Sequence, residues 1–151
     1  MNIIEELRYL IVCVNKEGTK KLAEILKPLN ITPNQSEVLM VLSKNEPLSL
    51  KELGELLICE SKSPSRLVQR LVNNGLVYKS KSINDNRKSV LHLTQEGRKL
   101  IPLIMEKEII FNQILSDSIS NKIDISILND ILHTQIKNTG SEKKIKIRKY
   151  M

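Results

Sequence analysis

Apolar residues recur every three or four positions over most of the chain, which is the spacing of amphipathic helices. The first run extends from Ile3 to about Leu26, and Pro28 follows it as a stop signal. A second run begins with Thr32-Pro33-Asn34-Gln35, a capping-box sequence with proline at the first helical position. The pattern therefore predicts two helices, the second of which ends near Pro47.

Two shorter helices are predicted next. Ser49-Leu50-Lys51-Glu52 is a full capping box and begins a helix that runs to about Ile58. A fourth helix starts near Ser61, and Gly75 is expected to end it in a left-handed conformation. The apolar residues predicted to face inward from this helix are Leu67, Val68 and Leu71.

The apolar period then changes to that of strands. Residues 76–83 and 89–93 are predicted strands, joined by the polar, turn-rich residues 84–88. A long helix is predicted from Thr94 to about Ser118, and a last one from Asp124 to about Lys137. The fold class is therefore mainly α with a small β-hairpin, that is, α+β.

Positive charge is concentrated in two stretches of the chain. The net charge is +7, and residues 60–88 hold seven basic side chains but only two acidic ones. Residues 141–151 hold five basic and one acidic, and the segment 139–151 is predicted to be a basic, mobile tail because it lacks a core-forming pattern. Such localised charge is the electrostatic footprint of a protein that binds a polyanion.

The third and fourth helices have the pattern of a helix-turn-helix, with a capped first helix, a short connection and a second helix that ends in glycine. Polar and basic side chains occupy the side of the fourth helix opposite its apolar face. Arginine can bond guanine, and glutamine can pair with adenine, in the major groove of DNA. The predicted DNA-binding residues of this segment are Lys62, Ser63, Ser65, Arg66, Gln69 and Arg70.

The tip of the hairpin provides a second set of polar and basic residues. Arginine on a narrow turn suits the minor groove of DNA, whose negative potential attracts guanidinium groups. Asp85 is expected to hold the side chain of Arg87 in a fixed direction through a charge-assisted hydrogen bond. The predicted DNA-binding residues of the tip are Asp85, Asn86, Arg87 and Lys88.

These residues carry a resemblance to a known family. The run Asp85-Asn86-Arg87-Lys88-Ser89-Val90-Leu91-His92-Leu93-Thr94-Gln95-Glu96-Gly97 resembles the wing and following helix of the multiple-antibiotic-resistance regulator (MarR) family. Residues 65–71, followed by Gly75-Leu76-Val77, resemble that family's recognition helix. The resemblance covers about residues 3–138, although Asn86 stands where a second lysine or arginine is usual. It implies a winged helix-turn-helix with N- and C-terminal dimerisation helices.

The resemblance also implies that different segments of the chain serve dimerisation and DNA binding. Residues 1–30 and 98–138 would form a helical dimerisation region, and residues 31–97 the DNA-binding domain. Ser65 and Arg66 would contact base edges. The implied function is that of a homodimeric, sequence-specific transcriptional repressor of a near-palindromic double-stranded operator. In the family, repression is relieved by a small, often anionic aromatic ligand or by thiol oxidation.

Two alternatives remain open: a winged-helix module that binds protein or RNA, and a thiol-based redox sensor acting through Cys13. An enzyme, a metal site or a cofactor is not expected, because His92 and His133 are isolated, the two cysteines, Cys13 and Cys59, lack zinc-site spacing and the five glycines form no phosphate-binding motif. The chain has no apolar run of about 18 residues and no secretory signal. A cytoplasmic protein without a membrane segment is therefore predicted.

Overall fold

The computed structural model describes residues 1–59, 63–83 and 88–150. Over these residues the chain forms seven α-helices, a short 3-10 turn and one small sheet. The helices are α1 (Ile3–Leu26), α2 (Pro33–Asn45), α3 (Leu50–Leu56), α4 (Pro64–Asn73), α5 (Gln95–Ile119), α6 (Ile125–Gln135) and α7 (Gly140–Lys149). The strands are β1 (Leu48–Ser49), β2 (Val77–Lys81) and β3 (Ser89–Leu93). The predicted class, mainly α with a small sheet, is confirmed.

The hydrophobic core lies around α2, which packs against α1, α3, α4, α5 and β3. The fully or nearly fully buried residues of this central helix are Val38, Leu39, Val41 and Leu42. Leu71 of α4 and Val77 of β2 close the core from the other side, while Leu26 and Ile104 reach it from the long flanking helices. Each fully buried leucine contributes about 1.5–3 kcal/mol of transfer free energy. The inner face of α4 is therefore firmly attached to the core.

The sheet has three antiparallel strands in the order β1-β3-β2. The hairpin of β2 and β3 was predicted, whereas β1 was not, because it is only two residues long and pairs with β3 through Leu48 opposite Leu91. Ser49 is at once the last residue of β1 and the N-cap of α3. Its hydroxyl accepts a hydrogen bond from the Glu52 N–H at 3.2 Å, and the Glu52 carboxylate accepts one from the Ser49 N–H at 2.7 Å.

The predicted helix boundaries are confirmed where a local cap sets them. The capping box of Thr32 with Gln35 begins α2, Thr94 caps α5, and Gly75 adopts a φ of 70° at the end of α4. The predicted start of the fourth helix near Ser61 is too early, because α4 begins at Pro64 with Ser63 as its N-cap. Likewise α3 ends at Leu56 rather than at about Ile58.

The long helices α1 and α5 pack against each other, with Gly18 facing the ring of Phe111. Much of the apolar surface of α1 nevertheless stays outside the core. Four apolar residues that share one side of this helix are each 50–70% exposed: Ile4, Leu7, Ile11 and Val14. Exposed apolar residues of α5 and α6 include Leu103, Ile109, Ile127 and Ile131. Within the described ranges, no helix is both long enough and apolar enough to cross a membrane.

The C-terminal segment differs from the prediction. Residues 139–151 were expected to be a basic tail without regular structure, but Gly140–Lys149 forms α7, with Thr139 as its N-cap. The Thr139 hydroxyl accepts from the Glu142 N–H at 3.3 Å, and the Glu142 carboxylate accepts from the Asn138 N–H at 2.8 Å. The helix packs on α3, far away in sequence. Its order therefore depends on long-range contacts that a search for local apolar periodicity cannot detect.

Candidate nucleic-acid interface

Helix α4 has two opposite faces. Leu67, Val68 and Leu71 are buried in the core, while the side chains on the other face are exposed. The exposed residues that the sequence predicted for DNA contact are Ser65, Arg66, Gln69 and Arg70. Because the helix contains no acidic residue, this outer face offers only positive charge and neutral hydrogen-bonding groups. Such a combination matches the edges of bases and the phosphates beside them.

The start of α4 is fixed by a local cap. The hydroxyl of Ser63 accepts a hydrogen bond from the Arg66 backbone N–H at 3.4 Å, and Pro64 occupies the first helical position, where its missing N–H does no harm. Ser63 was predicted to contact DNA, and the structure gives it this capping role. The predicted contact residue Lys62 lies outside the described residues.

Gln69 is held by its neighbours. Its Oε1 accepts a hydrogen bond from Nζ of Lys79 on β2 at 3.3 Å, and its Nε2 donates one to Oδ1 of Asn73 at 2.9 Å. The sheet and the outer face of α4 are thereby connected by side chains. The amide of Gln69 is thus already oriented by protein partners on both of its functional groups.

A shallow cleft of about 420 Å³ lies between α4 and the N-terminus of α2. Thr32, Pro33 and Asn34 line one side of it, and Arg66 and Arg70 line the other. The N-terminus of a helix carries a partial positive charge and attracts phosphates, and two guanidinium groups add to that attraction. In the sequence Thr32 is recognisable only as a helix cap, because its closeness to α4 is a property of the tertiary fold.

The hairpin is stiffened at its base. The rings of Tyr78 and His92 stack with their centroids 4.9 Å apart, and Ser80 Oγ lies 3.0 Å from Nε2 of His92. Lys88 is exposed directly before β3. The other predicted contact residues of the tip, Asp85, Asn86 and Arg87, lie outside the described residues.

A comparison with known families identifies the chain. The family model described as "Transcriptional regulator SarA/Rot" matches residues 20–104, which is more than half of the sequence. The chain belongs to the SarA/Rot family of transcriptional regulators.

Individual relatives agree with this assignment. The chain is 30% identical over 135 residues to the organic hydroperoxide resistance transcriptional regulator of Bacillus subtilis, covering 89% of both proteins. It is 28% identical to the HTH-type transcriptional regulator SarZ of Staphylococcus aureus, covering 93% of this chain and 94% of that protein. The crystal structure of a putative MarR-like transcription regulator from Bacillus cereus superimposes with a TM-score of 0.74 at 25% identity, covering 87% of this chain and 94% of that one. The predicted resemblance to MarR regulators and the winged helix-turn-helix fold are both confirmed.

The regulator has two free cysteines in different surroundings. Cys13 is exposed on α1, and Cys59 is exposed just after α3. Partial desolvation of the Cys59 thiol, followed by the negative charge of Glu37 beside it, raises the pKa of Cys59. Among the described residues, no group of three or more histidine, cysteine, aspartate or glutamate side chains is arranged to hold a metal ion.

Proposed function

We propose that this transcriptional regulator binds double-stranded DNA by inserting the outer face of α4 into the major groove, and that it acts as a repressor. The observation that carries the proposal is the exposed, acid-free face of α4 opposite the buried Leu67, Val68 and Leu71. A helix whose inner face is fixed in a core can present Arg66 and Ser65 to base edges in a defined direction. Bidentate contact between arginine and guanine is worth about 1–3 kcal/mol of discrimination.

The cleft between α4 and α2 supports a second role for this surface. Phosphate contacts fix the orientation of a protein on the duplex, whereas base contacts specify sequence. Arg70 and the N-terminus of α2 at Thr32 suit a backbone phosphate, because they combine a guanidinium group with a helix dipole. Lys88, Arg87 and Asn86 would hold the neighbouring groove from the wing, and Lys62 would contribute charge beside α4.

We further propose that the regulator is a homodimer. Residues 1–30 and 98–138 would form the dimerisation region, because α1, α5 and α6 expose apolar side chains that one winged unit leaves uncovered. Residues 31–97 would bind DNA. A two-fold dimer requires a near-palindromic operator with half-site centres about 34–36 Å apart. Sedimentation velocity of the full chain at micromolar concentration tests this, and a monomer there would overturn it.

The DNA-binding proposal is tested by fluorescence anisotropy with duplexes from the region upstream of the regulator's own gene, against scrambled duplexes of equal composition. Arg66→Ala should weaken operator binding by about 1–3 kcal/mol and relax the preference at one base position per half-site. Lys20→Ala is the matched control, because Lys20 is an exposed cation on α1 that pairs with Glu17. Equal losses in the two variants, or no preference of the natural protein for any duplex, would contradict the proposal.

An interaction module for protein or RNA is the alternative use of a winged helix. Single-stranded RNA is usually bound by aromatic side chains that stack on bases. The outer face of α4 carries no aromatic residue, which favours duplex DNA. Tighter binding to single-stranded RNA than to duplex DNA in the same titration would support the alternative. We infer that the regulator works in the cytoplasm, without catalytic activity, metal or cofactor, and that binding of a small molecule is one candidate for the signal that releases it from DNA.

Thiol oxidation is a second candidate for the release signal. The named function of the Bacillus subtilis relative is organic hydroperoxide resistance, and Cys13 is exposed on α1 of this chain. Treatment with cumene hydroperoxide should then release operator DNA from the natural protein and from Cys59→Ser, but not from Cys13→Ser. Release that survives in Cys13→Ser would exclude this cysteine as the sensor.

A further inference from the structure

The C-terminal helix α7 contacts the C-terminal end of α3. Nζ of Lys144 donates hydrogen bonds to the carbonyl oxygens of Leu57 at 2.8 Å and Gly54 at 3.2 Å. The last carbonyls of any helix lack intrahelical partners, and they carry the negative end of the helix dipole. The ammonium group of Lys144 donates hydrogen bonds to these carbonyls and also places a positive charge at the negative end of the dipole. Lys144 therefore caps the first helix of the helix-turn-helix from outside.

Arg148 lies one turn further along α7 and reaches the same place. Its Nη1 donates a hydrogen bond to the carbonyl oxygen of Leu56 at 3.3 Å and forms an ion pair with Oε1 of Glu37 at 2.9 Å. Lys144 and Arg148 are four residues apart and so lie on one face of the helix. The face of α7 that they form is thereby attached to both α3 and α2.

Glu37 connects this contact to the approach to α4. The carboxylate accepts hydrogen bonds from the backbone N–H of Ile58 at 2.7 Å and from that of Cys59 at 3.0 Å. Its side chain is only 9% exposed, so the negative charge needs compensation by a cation. Arg148 supplies that cation. The backbone of Ile58 and Cys59, just after α3, is therefore held by a carboxylate that α7 neutralises.

We propose that Glu37, Lys144 and Arg148 are positioning residues for the recognition helix α4, and that α7 is a strap that fixes the end of α3 and the two residues, Ile58 and Cys59, that lead towards α4. The inference rests on the proposed DNA binding. In this proposal Lys144 and Arg148, two of the five basic residues of segment 141–151, act on the fold of the protein itself. The remaining ones, Lys143, Lys146 and Lys149, are exposed.

The strap differs from a merely charged tail in what it affects. A charged tail strengthens binding to every duplex about equally, because it acts through counterion release. A strap acts on the geometry of α4, so its loss affects the operator more than random DNA. Arg148→Ala and Lys149→Ala remove the same charge from neighbouring positions of one helix, which makes Lys149→Ala the matched control.

The first measurement is amide hydrogen exchange of the free, full-length protein. Arg148→Ala should speed exchange of the Ile58 and Cys59 amides by about tenfold, while Lys149→Ala should leave them unchanged. Lys144→Ala should act at the end of α3. Because hydrogen exchange is measured without DNA, it tests the strap even if the natural protein binds no duplex. A failure to bind any duplex would refute the proposed DNA binding but would leave the test of the strap intact.

The second measurement is the ratio of operator to random-duplex affinity. Arg148→Ala should lower it by about tenfold, and Lys149→Ala should lower both affinities equally. Arg148→Lys should retain most of the ratio, because an ammonium group keeps a positive charge beside the Glu37 carboxylate. Unchanged exchange at residues 58 and 59, or equal effects of Arg148→Ala and Lys149→Ala on the ratio, would overturn the strap.

Discussion

Lys79 on β2 donates a hydrogen bond to Gln69 on α4, with 3.3 Å between Nζ and Oε1. Since Nε2 of Gln69 also donates to Asn73, both functional groups of the amide are occupied by the protein. The amide also has a second N–H on Nε2 and a second acceptor position on Oε1, so a base would meet a side chain that the protein has already oriented. We therefore expect Gln69 to brace α4 against the sheet in addition to the base contact that its residue type predicts.

This arrangement predicts unequal effects for two residues of the same exposed face. Gln69→Ala should weaken operator binding by less than about 1 kcal/mol, whereas Arg66→Ala should cost about 1–3 kcal/mol. Anisotropy titrations of both variants on the same operator provide the measurement. A loss of base preference in Gln69→Ala equal to that in Arg66→Ala would show that Gln69 leaves its protein partners to read a base.

Gly97 is predicted to be essential for stability. A Cβ atom at this position would overlap the carbonyl oxygen of Leu76, which itself accepts a hydrogen bond from the Thr94 N–H at 3.1 Å. The backbone at Leu76 cannot withdraw without breaking that bond. Gly97→Ala should therefore destabilise the fold by about 1–3 kcal/mol in thermal or urea unfolding. Gly140→Ala is the control, because a Cβ atom there would meet no described atom within 4 Å, and it should cause no loss.

The tip of the hairpin yields a prediction from sequence alone. Arg87→Ala should reduce affinity for all duplexes, most strongly those with a narrow, A·T-rich minor groove. Asp85→Ala should also weaken binding if Asp85 directs Arg87, although removing a negative charge near DNA would by itself strengthen it. Titrations at two salt concentrations measure both effects. Tighter binding by Asp85→Ala would mean that the tip acts as a basic loop without an internal brace.

The thiol of Cys59 should react slowly with iodoacetamide. Partial desolvation and the charge of Glu37 raise its pKa, so a smaller fraction is thiolate at pH 8 than in a free cysteine peptide. The fold favours the protonated form of the Cys59 thiol. The part of the free energy of unfolding that this preference contributes is therefore lost as the pH rises through the raised pKa. In a Cys13→Ser background, Glu37→Gln should move the reaction profile to lower pH. An unchanged profile would assign the shift to desolvation alone.

The sequence predicts elements that depend on neighbouring residues better than elements that depend on residues far away in the chain. The caps at Thr32, Ser49 and Thr94 depend on residues within one helical turn, and each begins its helix as predicted. The strand β1 depends on pairing with residues about forty positions away. Helix α7 depends on Glu37, 111 residues before its partner Arg148. Apolar periodicity carries no information about such partners.

The candidate interface also has features that depend on local sequence and features that depend on packing between distant elements. The exposed residues of α4 follow from helical geometry and were predicted. The cleft at Thr32 and the orientation of Gln69 by Lys79 follow from packing between elements, and they emerge only in three dimensions. Ser63 stays a predicted DNA contact, and its additional role as the cap of α4 became visible only when the structure placed the start of the helix at Pro64.

Ser49 belongs to the sheet and to α3 at the same time. Because this residue is shared, we expect the wing and the helix-turn-helix to move together. A switching signal would then act where that unit meets the long helices, near Leu26 and Ile104. Release from DNA would then result from a change in the distance between the two DNA-binding domains of a dimer, while the shape of each domain stays constant.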